Sequence, residues 1–236
     1  MAKHNSHRAQ PELVSFYEHP NGGRDFKGRT LSSILQWPDG ELEYSHNYIQ
    51  VMFPLPERSP VNFQAPVIDR ATFDAFHCRP KLRARLRESF IRILSFYGFE
   101  LQEANGRPKI SPAAGFVSAS KNWVMKFNHN HLRITRIIRS LRVLGLEEEA
   151  EAFFAALEHL CQSVDVRISS SSLMFWTRAA KRPLYLAPEQ DEDGGDGADF
   201  LYEFQKSHER SKDSATSEAT HSRGDGKSGH SPREAL

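Results

Sequence analysis

Two histidines spaced by two, four arginines spaced by three and an imidazole within an apolar stripe are the groups whose spacing invites chemistry in this 236-residue chain. His129 and His131 suggest a metal site. Side chains two apart diverge on a helix, however, and no third and fourth ligand follow at a diagnostic distance, so no metal is expected. Arg133, Arg136, Arg139 and Arg142 each step about −60° round a helix axis. That fans them over the half-cylinder opposite their apolar partners. A second basic run, Arg79, Lys81, Arg83, Arg85, Arg87 and Arg92, is offset within its span only by Glu88. Both sets read either as solvated helix faces or as a phosphate-binding surface. Arg83, Arg85, Arg133, Arg136 and Arg139 are the anion-binding candidates, with nucleic acid or an acidic protein as the partner.

Catalytic signatures are missing. There is no Gly-rich phosphate loop, Gly-x-Ser-x-Gly elbow, Cys-x-x-Cys or His-Glu-x-x-His. Asp39 beside Gly40 reads as a turn and helix start rather than as an acid–base carboxylate. The expectation is a protein that binds rather than catalyses, with no cofactor.

These groups need helices to position them, and the apolar spacing is helical almost throughout. Leu82, Leu86, Phe90, Ile93, Leu94 and Tyr97 form a stripe bounded by Pro80 and Gly98. Ile134, Ile137, Ile138, Leu141 and Leu144 form another over 131–144, stopped by Gly145. Ala150, Phe153, Phe154, Leu157, Leu160, Cys161 and Val164 continue the pattern after Glu147, Glu148 and Glu149, which suit the positive end of a helix dipole. Shorter helices are expected near 12–18, 29–36, 41–53, 70–77, 118–126 and 170–179. On a 41–53 helix, Leu42, His46, Ile49 and Phe53 share one face. His46 is then a core histidine satisfied by a buried partner, or a polar anchor in a ligand pocket. Tyr48 and Gln50 point the other way. Asn is a strong N-cap, so His129 and Asn130 are expected to cap or lock the 131–144 helix.

Pro54, Pro56, Pro60 and Pro66 impose an extended connection over 54–66. Residues 102–115 read as an irregular loop, and nothing alternates with period two. Trp37, Trp123, Trp176, Phe53 and Phe127 are expected in the core. The predicted fold is all-α: one multi-helix globular domain over 11–186.

Charge is unevenly divided. From residue 187 onward there are 6 Lys+Arg against 12 Asp+Glu, which leaves 25 against 18 before it, so the body carries +7 and the tail −6. A tail of such polarity cannot offset its chain entropy, so 1–10 and 187–236 are expected to be disordered. Phe200 to Phe204 is the exception, a short helix or docking segment. Cys78 and Cys161 suit two reduced, mostly buried thiols rather than a disulfide framework. Neither a signal-peptide core nor a membrane-spanning run is present, so the chain is expected to be soluble, cytoplasmic or nuclear.

Two segments carry a family resemblance. His46, Asn47, Tyr48, Ile49, Gln50, Val51, Met52, Phe53 and Pro54 form one; Asn128 to Ile138 form the other. Around them stand Phe16 and Tyr17, Trp37, Leu42 and Glu43, Gly98, Asn122 and Trp123, then Ser140 to Glu147. Over roughly 13–178 the chain resembles the opioid growth factor receptor conserved domain. It departs from that family's pattern at Val51–Met52, where a Trp-Leu pair is usual, and at His131, where Asn is usual. The resemblance implies a receptor-type binding function, an enkephalin-type peptide ligand, nuclear-associated growth regulation and peripheral membrane association. The partner-binding candidates that lie on its motifs are His46, Tyr48, Gln50, Trp123, His129 and Asn130.

Overall fold

Pro80 opens and Gly98 closes the helix on which much of the body is built. The computed structural model describes residues 12–60, 62–163, 167–190 and 198–221. In order, these form α1 (Glu12–Glu18), α2 (Leu31–Leu35), α3 (Asp39–Tyr44), α4 (Ile49–Met52), α5 (Arg70–Cys78) and α6 (Pro80–Tyr97). Strands β1 (Phe99–Ala104) and β2 (Arg107–Pro112) follow, then α7 (Phe116–Ala119), a 3-10 turn (Ser120–Asn122), α8 (Asn130–Val143), α9 (Glu147–Cys161), α10 (Ser170–Lys181) and α11 (Asp199–His221).

The predicted stripes bury as their phase requires. Leu82, Leu86, Phe90, Ile93, Leu94 and Tyr97 on α6, with Ile134, Ile137, Ile138 and Leu141 on α8, are essentially inaccessible, as are Phe153 and Leu157 on α9. Leu160 and Cys161 are half-buried, and Val164 lies outside the described residues. Helix α8 packs on α9 and α10, while α6 receives α1, α5 and β1. Local chemistry sets the boundaries. Thr30 and Ser33 make a reciprocal capping box on α2, Asp69 caps α5 through Thr72 N, and Ser169 caps α10 through Ser172 N. Trp176 is buried in the core as expected, whereas Trp37 is half-buried.

Several expectations are corrected. The protein is mostly helical but not all-α, because β1 and β2 pair antiparallel from Phe99 opposite Pro112 to Ala104 opposite Arg107. The span 102–115 is therefore largely hairpin rather than irregular loop. Its turn is Asn105–Gly106, both with positive φ (53° and 75°), the two-residue connection that matches strand twist. The 41–53 helix is two short helices, α3 and α4, separated by a corner at 45–48. The helix expected at 118–126 is instead α7 followed by one 3-10 turn. Phe127 is 93% exposed and has φ of 60°, and Cys78 is exposed.

The chain divides into two units. One comprises residues up to Arg182 together with Leu186–Gly195; the other comprises Pro183–Tyr185 and the residues from Asp196 onward. Within the second, Leu184 N donates to Gln205 Oε1 at 2.7 Å, and Tyr185 meets Tyr202 edge-on. Part of the segment expected to be disordered, Asp199–His221, is helical; Phe200 to Phe204 lie in its first turns. Residues 1–11, 191–197 and 222–236 lie outside the described residues. No helix among the described residues is long and apolar enough to cross a membrane.

Candidate functional site

The two motif segments meet in space, and Arg133 is what joins them. Its Nη1 donates to Leu42 O at 2.9 Å, and its Nη2 to Glu43 O and Ser45 O at 3.1 and 2.9 Å. Those carbonyls end α3, where no intrahelical N–H is available to them, so a side chain some 90 residues away satisfies them instead. Arg133 is only 5% exposed, and its guanidinium lies 5.7 Å from the Tyr48 ring centroid. Tyr48 meets Trp37 edge-on, and Arg29 covers Trp37 at 5.4 Å. The result is an alternating arginine–aromatic ladder that holds the corner between α3 and α4.

Asn130 extends the clasp. Its Oδ1 accepts from Tyr97 Oη and Arg133 Nη1, and its Nδ2 donates to Glu43 Oε2 at 3.1 Å. It locks α8 but does not cap it: Asn128 Oδ1 takes the Asn130 N–H at 2.8 Å, and Asn128 O takes that of His131. His129 Nε2 lies 3.3 Å from Glu43 Oε1, and its ring stands 5.4 Å from that of His46. Burial, then the Arg133 charge, holds the His129 imidazole below its usual range, with Glu43 opposing. His131 is buried with Nε2 2.9 Å from Trp123 O and Nδ1 2.8 Å from Ser172 Oγ. A carbonyl can only accept, so Nε2 carries the proton and Nδ1 accepts. Burial likewise lowers its affinity for a second proton.

The partner-binding candidates therefore separate into two groups. His46 and His129 are both exposed, at the outer edge of the corner. Tyr48, Gln50, Trp123 and Asn130 are buried. His46 does not sit among apolar neighbours, and Tyr48 and Gln50 do not point outward, because the break at 45–48 rotates the later residues relative to α3. Burial pushes the Tyr48 phenol up to about 12, so it stays protonated. Trp123 donates its indole N–H to Tyr97 O at 3.1 Å.

Of the anion-binding candidates, Arg83, Arg133, Arg136 and Arg139 are taken up inside the fold, while the Arg85 side chain stays 43% exposed. Arg136 donates to Phe53 O at 3.2 Å, and Arg139, 2% exposed, is paired with Glu57. Arg83 reaches back to the carbonyls of Phe76 and His77, and Arg142 to those of Ala179 and Arg182. Arg85 is paired with Glu88 at 2.8 Å. The fan of arginines is interior wiring between elements. Sequence spacing gave no sign of it, because most of their acceptors are backbone carbonyls, which any residue type supplies, and Glu57 lies 82 positions from Arg139.

Beside the clasp lie two openings absent from the sequence reading. A cleft of about 490 Å³ is lined by Asp39, Glu43 and Tyr44 of α3 together with Phe96, Phe99 and Ala119. Tyr44 at its rim is 83% exposed. The second, about 280 Å³, is lined by Phe26, Lys27, His46, Asn47, Gln50, Asn62 and Gln64. Glu43 borders the first and His46 the second, so the corner carries a recess on either side.

Comparison with known proteins bears on what such a corner is for. The family described as the opioid growth factor receptor (OGFr) conserved region matches residues 29–184, which contain both motif segments. Opioid growth factor receptor of Rattus norvegicus is 37% identical over 142 residues, covering 57% of this chain and 23% of the relative. The Homo sapiens protein of that name is 35% identical over 129 residues, 51% of this chain and 18% of the relative. Opioid growth factor receptor-like protein 1 of Xenopus tropicalis is 34% identical over 129 residues, with 23% of its length covered. The chain thus spans less than a quarter of these relatives. No solved structure matches it. With both signature segments inside a match that spans well over half of its length, this chain belongs to the opioid growth factor receptor conserved-region family.

Proposed function

We propose that this chain acts by binding rather than catalysis, as a peptide-receiving module whose working surface is the corner between α3 and α4. One observation carries the reading: the most distinctive residues of both motifs are spent on fixing that corner. Arg133, Asn130 and Glu43 immobilise it from within, while Tyr44, His46 and His129 crown it from outside. A rigid support beneath an exposed polar and aromatic rim, with recesses on both sides, suits capture of a short extended ligand. The relatives are named as receptors for an opioid growth factor, and the family resemblance makes an enkephalin-type peptide the first ligand to try. Growth regulation, a nuclear or cytoplasmic setting and peripheral membrane attachment belong to the same proposal.

Calorimetric titration of the full chain with such a peptide, at low and high salt, tests it. The peptide carries little net charge, so its binding should fall far less steeply with salt than that of a polyanion. It should weaken on Tyr44→Ala, because exposed aromatic anchors dominate such contacts. Absence of heat with the peptide would count against the reading. Strong, steeply salt-dependent binding of a polyanion in its place would favour a nucleic-acid partner.

A further inference from the structure

The recess beside His46 and Asn47 has a hydrogen-bond polarity that its own framework dictates. Arg29 Nη1 lies 2.7 Å from Asn47 Oδ1. A guanidinium only donates, so the Asn47 carbonyl must face it and the Nδ2 amino group must face away. On the opposite wall, the backbone N–H of Gln64 donates to Asn62 at 3.2 Å, which fixes that atom as Oδ1. Asn62 Nδ2 must then donate to Gln50 Oε1, which turns Gln50 Nε2 toward Ser59 Oγ at 3.1 Å, with no acceptor for its second amide proton among the described residues. Two fixed donors, one at each end, thereby orient three carboxamides.

Among the described residues, Lys27 and His46 complete the wall and no carboxylate lines it. The nearby Asp25 is fully engaged elsewhere: its Oδ1 accepts from Lys27 N and Arg29 N, both at 2.9 Å, and its Oδ2 from Arg29 Nε at 2.7 Å. Gln50 is 8% exposed, so its donor is held in place rather than waving in solvent. A concave wall of oriented N–H donors beside an ammonium and an imidazole is complementary to an oxyanion.

We infer that this recess is an oxyanion site, with Asn47 Nδ2, Gln50 Nε2 and Lys27 Nζ as its donors. On the peptide-binding reading above, on which this assignment of the ligand rests, the oxyanion is the free C-terminal carboxylate of the peptide. An isolated phosphate offers the same chemistry. The site also accounts for two motif residues, Asn47 and Gln50, whose side chains make no bond to the Arg133 clasp.

The test has two arms on the full chain. In the first, inorganic phosphate and acetate are titrated while the side-chain amide resonances of Asn47 and Gln50 are followed by NMR. In the second, an enkephalin-type peptide acid is compared with its C-terminal amide by calorimetry. The site predicts saturable shifts of those two resonances, and roughly tenfold or weaker binding of the amide, from loss of charge-assisted hydrogen bonds. Asn47→Asp should abolish the anion-induced shift of the Gln50 resonance and the difference between acid and amide. Lys27→Glu, at an exposed position that cannot affect folding through packing, should weaken both. Phosphate shifts without acetate shifts would support the site and assign it to phosphate. Anion shifts with no peptide binding would uphold the site while ending the peptide reading. Equal binding of acid and amide, with unmoved Asn47 and Gln50 resonances in both salts, would overturn the site and leave peptide binding intact.

Discussion

Arg133 donates to Ser45 O at 2.9 Å across 88 positions of sequence, and that bond closes the corner on which the candidate site is built. Lysine is a point donor that cannot span three carbonyls in one plane. Arg133→Lys should therefore leave buried acceptors unpaired at a cost on the order of 3 kcal/mol. For a domain of this size the melting temperature should drop by roughly 6–12 °C. A change within about 1 °C would mean the clasp contributes nothing to stability.

Tyr48 makes the opposite case. Its ring is fully buried in the ladder, yet its hydroxyl has no hydrogen-bond partner among the described residues. Removing an unpaired buried hydroxyl while keeping the ring is expected to be neutral or stabilising. Tyr48→Phe should thus shift the urea midpoint little or upward, whereas Tyr48→Ala should cost about 3–5 kcal/mol through the lost ring. A large loss from the phenylalanine variant would reveal a hydroxyl partner.

Glycines 98 and 106 both have positive φ, but only one is crowded. A Cβ on Gly98 would lie 2.9 Å from Phe116 Cα and from Ala119 Cβ; at Gly106 it would meet open space. Gly106→Ala should cost about 1 kcal/mol from backbone strain alone. Gly98→Ala adds overlap with neighbouring backbone, for about 2–4 kcal/mol. Denaturant titrations giving the two variants equal losses would contradict the packing of α7 against the end of α6.

Acid should loosen the α8 start. The protonation midpoints of His129 and His131 are both lowered below 6.5 in the folded chain, first by burial. The unfolded chain then binds more protons between those lowered midpoints and 6.5, so stability is full above about 6.5 and is lost as pH falls through the folded values. Urea midpoints should be lower at about pH 5 than at about pH 7.5, and His131→Asn should flatten the difference. NMR titration placing either imidazole above 6.5 would refute the sign.

The helical frame was legible because α6, α8 and α9 each bury one regular stripe, and periodicity reports that directly. The hairpin was legible too, but in its turn: Asn105–Gly106 is the strongest short hairpin signal, while Phe99–Ala104 and Arg107–Pro112 alternate too weakly to read as strands. The division of 41–53 was hidden because Leu42, His46, Ile49 and Phe53 keep helical spacing across a corner. That corner is held by Arg133 from another element, so tertiary wiring overrides local pattern. The same wiring conceals the arginines, which read as a surface by charge and lie inside by geometry. Neither recess could be read, since each is assembled from segments far apart in sequence.

The claim that the α3–α4 corner receives a peptide is tested most directly by amide NMR mapping of the full chain with an enkephalin-type peptide. Saturable shifts are expected to centre on Tyr44, His46, Asn47 and His129, with the outer face of α6 around Arg85 and Glu88 unmoved. Shifts centred on α6, or none at saturating peptide, would contradict it.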